Sequence, residues 1–129
     1  MFISYASGDK RIADLLCQKL EEKKIKTWYA PRDIKYGNYA KNIVDAIANS
    51  THFITVISQN SMESEHVLNE IDLAFEHLKS GLVIIPFRID TKDLRAEFNY
   101  YLKRQQWVDA QTPPLERRID EMISRVFGC

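Results

Sequence analysis

Between His52 and Ser58 the chain reads Phe53-Ile54-Thr55-Val56-Ile57, a nearly continuous apolar run, and then turns at once into Ser58-Gln59-Asn60-Ser61. A strand that is apolar on both faces is buried on both faces. That is the situation of a central strand in a parallel sheet, with helices packed above and below it. The run is followed by a helical pattern, with Val67, Leu68, Ile71, Ala74, Phe75 and Leu78 recurring on one stripe. Strand, polar turn and helix in that order form the unit from which α/β folds are built.

The same unit recurs along the chain. Phe2 to Tyr5 predicts a short buried strand. It is followed by the turn Ala6-Ser7-Gly8-Asp9-Lys10 and a helix over Lys10 to Lys23, with Ile12, Ala13, Leu15, Leu16, Cys17 and Leu20 inward. Ile25 to Tyr29 predicts a second strand, and Pro31 and Gly37 keep the loop after it exposed. Asn38 can cap a helix reaching about Asn49, with Ala40, Ile43, Val44 and Ile47 inside. His52 to Ser58 is the third strand. The helix after it stops near Ser80-Gly81, and Leu82 to Phe87 is the fourth strand. Arg88 to Asn99 is mixed, with a short helix around Leu94 to Leu102. Gln106-Trp107-Val108 is a short fifth strand, and Pro113-Pro114 opens a last helix carrying Leu115, Ile119, Met122, Ile123 and Val126. Five strands alternating with helices predict a flavodoxin-like, doubly wound parallel sheet of order 2-1-3-4-5 with helices on both faces. The 129 residues read as a single domain, 1–129, and the abrupt ends suggest one module of a longer protein, or the start of one that continues past Cys129.

Lys plus Arg number 18 and Asp plus Glu number 18, so the chain has no net charge with which to hold nucleic acid or an anionic membrane. Low net repulsion permits self-association. No apolar run approaches the ~20 residues of a membrane span, and no signal-peptide pattern opens the chain. The two cysteines, Cys17 and Cys129, make neither a disulfide framework nor a CxxC site, which fits a reducing cytoplasm. The histidines His52, His66 and His77 lack metal-ligand spacing, so no metal is expected.

In such a sheet ligands sit where strand carboxyl ends face helix amino ends, here the loops Tyr5 to Asp9 and Ser58 to Glu65. An acidic pair after the first strand and an Asp ending the third would suit a phosphoacceptor. Those places hold Tyr5-Ala6-Ser7 and Ser58. There is no GxGxxG and no Walker lysine, and no Ser, His and carboxylate set is spaced for acyl transfer. One carboxylate, Glu70, stands near the crevice. It lies in the second turn of its helix, and at about 100° per residue it falls roughly 100° off the centre of the apolar stripe. A glutamate on such a flank is ordinarily a solvated surface residue, and geometry leaves that reading open beside a functional one.

Phe2-Ile3-Ser4-Tyr5 with Asp9-Lys10 resembles the first sequence box of Toll/interleukin-1 receptor (TIR) domains. Trp28-Tyr29-Ala30-Pro31-Arg32-Asp33-Ile34 with Gly37 resembles the second box and its BB loop. Ser61 and Ser64 followed by Glu70 resemble the segment that carries the family's catalytic glutamate, and Gln106-Trp107 resembles the third box. The ordered set spans essentially the whole chain, and its Ala-Pro-Arg-Asp-Ile wording is closer to bacterial than to animal members.

The resemblance implies either a scaffold that recruits other TIR domains or an enzyme that cleaves NAD+ at the nicotinamide–ribose bond, sometimes with cyclisation. It gives Glu70 the position of the catalytic glutamate. It implies that Tyr5, Ala6 and Ser7 line the nucleotide cleft, with the NH groups around Ser7-Gly8 toward the pyrophosphate, and that Ser61, Ser64 and His66 border it. Many enzymatic members carry an aromatic residue where this chain has His66. Ser61 and Ser64 are also natural helix caps. Arg32, Asp33, Ile34, Tyr36 and Gly37 would serve assembly, docking the BB loop on a neighbouring copy. NAD+ is then a substrate and no bound cofactor is implied. The expected partners are other copies of the domain and a fused or separate sensor, in a cytoplasmic immune or antiviral effector.

Overall fold

A computed structural model describes residues 1–29 and 39–128 of the chain. Among them the order is β1 (Phe2–Ser4), a 3-10 turn (Ser7–Asp9), α1 (Lys10–Glu22), α2 (Tyr39–Ala48) and β2 (His52–Ile57). It continues with α3 (Gln59–Met62), α4 (Glu65–Glu76), a second 3-10 turn (Leu78–Ser80), β3 (Val83–Arg88), α5 (Ala96–Leu102), β4 (Val108–Asp109) and α6 (Leu115–Phe127).

The described strands form a four-stranded parallel sheet of order β1-β2-β3-β4. This corrects the expectation of five strands in order 2-1-3-4-5. The segment expected to be the second strand, Ile25 to Tyr29, touches β1 through a single parallel bridge, Phe2 to Trp28. The helix before it explains why. Lys24 takes a left-handed turn at φ 62°, and the NH groups of Lys23 and Ile25 both bond back to the Leu20 carbonyl, each at 3.0 Å. That local closure of α1 takes Ile25 out of any ladder. Among the described residues the pairing consists of Ile3 N–H to Trp28 O and Trp28 N–H to Met1 O, both 2.9 Å, besides the Met1 ammonium on Lys26 O at 2.7 Å.

Register sorts the strand residues onto two faces. Phe2 pairs with Phe53 and Ser4 with Thr55, and Thr55 pairs in turn with Pro86. Alternation places Phe2, Ser4, Phe53, Thr55 and Ile57 on one face, and Ile3, Tyr5, Ile54 and Val56 on the other. The first face packs against α2, α4 and α5 through Ile43, Ile47, Val67, Ile71, Ala74, Phe98 and Leu102. Trp28, Phe2 and Phe53 stack across it at 5.1 and 5.4 Å. The second face packs against α1 and α6 through Ala13, Leu16, Leu20, Ile119, Met122 and Ile123.

Candidate active site

Where a polar turn is expected after Ser58, the chain makes a one-turn helix, α3, and a corner before α4, and the corner fixes where Glu70 lands. Ser58 caps α3 reciprocally: its hydroxyl accepts from Ser61 N–H at 3.1 Å, and Ser61 Oγ accepts from Ser58 N–H at 2.8 Å. The Ser61 hydroxyl also donates to Ser58 O at 3.0 Å. After one turn the chain leaves α3, and Ser64 caps α4 by accepting from Val67 N–H at 3.2 Å. Arg95 holds the corner from outside. Its guanidinium donates to Met62 O at 2.7 Å and pairs with Glu97 at 2.7 Å and Glu65 at 3.7 Å.

From this start α4 buries Val67, Glu70, Ile71 and Ala74. That spacing is the core-facing stripe itself, so Glu70 is not on a solvated flank. The expected stripe was centred too far toward Leu68 and Phe75, because the apolar band of α4 serves two partners. Val67, Ile71 and Ala74 meet the sheet layer, while Phe75 turns to Tyr100 and Tyr101 around α5, at ring distances of 6.1 and 5.2 Å. Glu70 is 2% exposed, and its Oε1 accepts a hydrogen bond of 2.7 Å from the hydroxyl of Ser4, the last residue of β1. Ser4 is itself fully buried. The carboxylate therefore reaches the carboxyl end of β1, directly before the first turn.

That turn is latched to the end of β2. Asp9, 4% exposed, accepts from the Ser58 hydroxyl at 2.5 Å and from the Asn60 side-chain amide at 2.9 Å. Gly8 lies so close that a Cβ there would stand 2.8 Å from Asn60 Cγ. Farther along the sheet edge, Asp90 accepts from Gln59 N–H at 2.9 Å, joining the loop after β3 to the start of α3.

The residues that sequence reasoning placed around a cleft separate into groups. Glu70 and Ala6 belong to the same side of the sheet. Tyr5 is fully buried on the opposite side, edge-on to Tyr29 at 5.7 Å, so its ring does not share a wall with Glu70. Ser7 is exposed on the first turn, and His66 is exposed one helical turn before Glu70. Ser61 and Ser64 act as caps, as above. Arg32, Asp33, Ile34, Tyr36 and Gly37 lie outside the described residues. Ser4 was missed. The signal for it was present: Ser4 shares the parity of Phe2 in a buried strand, and a hydroxyl there needs a partner. Cavities of about 470 Å³ between α1 and α6 and about 270 Å³ between α4 and α5 are lined by other residues. Among the described residues no three His, Cys, Asp or Glu side chains gather as a metal site.

The chain belongs to the TIR domain family, whose model matches residues 1–123. Among solved structures it is similar to the TIR domains of the activated Roq1 resistosome directly recognizing the pathogen effector XopQ. The TM-score is 0.71 at 18% identity, covering 98% of each chain. It is also similar to the TIR domain of the Toll-related Receptor TRR-2 from the lower metazoan Hydra magnipapillata, with a TM-score of 0.66 at 26% identity over 98% of this chain and 90% of that one. No curated protein matches the sequence.

Proposed function

We propose that this TIR domain is a NAD+ glycohydrolase of the bacterial type, with Glu70 as its catalytic carboxylate. The observation that carries the reading is the reach of Glu70 to Ser4 at the end of β1, at 2.7 Å. A helix glutamate kept at a strand's carboxyl end, inside a mostly apolar layer, is costly to retain for packing. It stands where α/β folds bind ligands.

The chemistry asks little more of the protein than one carboxylate. Glycosides ordinarily need two, because a poor leaving group must be protonated. Nicotinamide in NAD+ is already cationic and departs neutral, taking the electron pair of the C–N bond. What needs stabilising is the oxocarbenium-like ribose, and a carboxylate beside it does so by charge and by accepting from the ribose hydroxyls. Water, or a second nucleophile within the substrate, then closes the reaction to linear or cyclic ADP-ribose. Ala6, Ser7 and the Ser7-Gly8 backbone border the nucleotide, with His66 one helical turn from the carboxylate. Tyr5 supports the turn from the far side of the sheet.

Activation is by self-association through the loop of Arg32, Asp33, Ile34, Tyr36 and Gly37, in a cytoplasmic immune or antiviral effector linked to a sensor domain. The domain itself spans residues 1–129. Among the described residues no helix is long and apolar enough to cross a membrane, and the neutral net charge favours neither membrane nor nucleic acid as a partner.

One observation favours a second reading, a scaffold acting by homotypic contact: Glu70 is 2% exposed, so the carboxylate is covered as described. Concentrated or artificially clustered protein incubated with NAD+ separates the two. Nicotinamide release that rises per subunit with concentration, and that vanishes in Glu70→Gln and Glu70→Ala, is the expected result. Release at wild-type rate from both variants removes Glu70 from the chemistry, and no release under any clustering condition leaves the scaffold.

A further inference from the structure

We infer that Ser4 is a positioning residue for Glu70: its hydroxyl holds the carboxylate at the end of β1 in the orientation that the proposed cleavage needs. The inference rests on the enzymatic reading above and extends it to a residue that does not itself meet the ribose. A glutamate has three rotatable side-chain bonds, and from α4 it could swing over several ångströms. Within its buried setting, the 2.7 Å bond from Ser4 Oγ to Oε1 restrains that freedom at one carboxylate oxygen. It does so from a rigid support, because Ser4 lies in a strand whose backbone is paired to Thr55 of β2. Anchoring a reactive group through a support on a strand is how sub-ångström placement is achieved.

A neighbouring residue supplies the control. Thr55 is the register partner of Ser4, on the same face, about 4.8 Å away across the sheet. It is equally buried, and its hydroxyl has no hydrogen-bond partner among the described residues. Two buried hydroxyls thus stand side by side, and the one on β1 is bonded to the glutamate. Removal of a hydroxyl as such is matched by Thr55→Val, whereas removal of the anchor is specific to Ser4→Ala.

The test is steady-state NAD+ cleavage on the clustered full chain, with thermal melts confirming that each variant is folded. Ser4→Ala is expected to lose kcat by about ten- to a hundredfold, the scale on which misplacing a catalytic group acts. KM stays within about twofold of wild type, because ground-state binding is untouched. Ser4→Thr, which keeps the hydroxyl, restores most of kcat, and Thr55→Val leaves both constants at wild-type values. A folded Ser4→Ala with wild-type kcat overturns the inference while leaving Glu70 in place, and so does an equal loss of kcat in Thr55→Val. If Ser4→Ala fails to fold, Ser4→Thr decides: a kcat as low as that of Glu70→Gln overturns the inference, and near-wild-type kcat supports it. Absence of release from the wild type overturns the enzymatic reading, and this inference with it.

Discussion

Thr55 and Ser4 illustrate how much a single hydrogen bond decides about a buried hydroxyl. Ser4 reaches Glu70; Thr55, its partner in register, has no hydrogen-bond partner for its Oγ1 among the described residues. An unpaired buried hydroxyl costs on the order of 1–3 kcal/mol, and an apolar group of the same shape carries no such cost. Thr55→Val keeps the branched shape that a parallel strand favours. We expect it to raise stability by about 1 kcal/mol, seen as a melting temperature higher by roughly 3–5 °C in a chain of this size. A lower melting temperature would show that the hydroxyl has a partner in solution.

At the scale of elements, the candidate site is made by two contacts, one from β1 to α4 and one from the first turn to the start of α3. One is Ser4 on Glu70; the other is the Asp9 latch to Ser58 and Asn60. Gly8 is what lets Asn60 approach Asp9, since a Cβ at 2.8 Å from the amide would push it away. Gly8→Ala and Asn60→Ala should therefore each cost about 1 kcal/mol in denaturant unfolding, the usual worth of such a bond. The double variant should cost clearly less than the sum, because both remove the same contact. Full additivity would mean that the two residues act separately. Much of this architecture was legible in the sequence. The apolar run before Ser58 announced β2, Ser64 and Gly81 marked where helical turns start and stop, and Glu70 was singled out through family resemblance. The break between α3 and α4 was not legible, because Gln59 to Ser64 reads only as a mostly polar turn and the corner is held by Arg95, far away in sequence. Nor was the shortened second strand, since Ile25, Thr27 and Tyr29 alternate well enough. Competition from the α1 terminus for the NH of Ile25 is a tertiary matter. The inward turn of Glu70 escaped for a related reason: periodicity finds the average apolar direction, and α4 has two.

For the whole molecule, pH acts most clearly where helices meet the sheet edge. The Tyr29 hydroxyl donates to Asp14 at 2.8 Å, and this bond, with burial second, pushes the phenol from its ordinary value of 10 up to about 12. A raised phenol contributes stability that is fully present below pH 10 and is lost as the pH rises through about 12. Urea midpoints should thus fall more steeply over that window in the wild type than in Tyr29→Phe, and parallel curves would refute the link. Asp14, held down first by Lys10 and then by Tyr29, works in the opposite direction: its contribution is present above its ordinary value of 3.8 and fades as acid is added. The Ser4–Glu70 pair has a bearing on the molecule's history as well. It is a hydrophilic island set between Phe2, Val67 and Ile71, and such islands tend to subtract from cohesion. A Ser4→Ala, Glu70→Leu double variant should melt at or above the wild type while releasing no nicotinamide. Under the proposed activity, a descendant selected for adhesion alone would drift toward that greasy version, and keeping the island is what reactivity would cost in firmness.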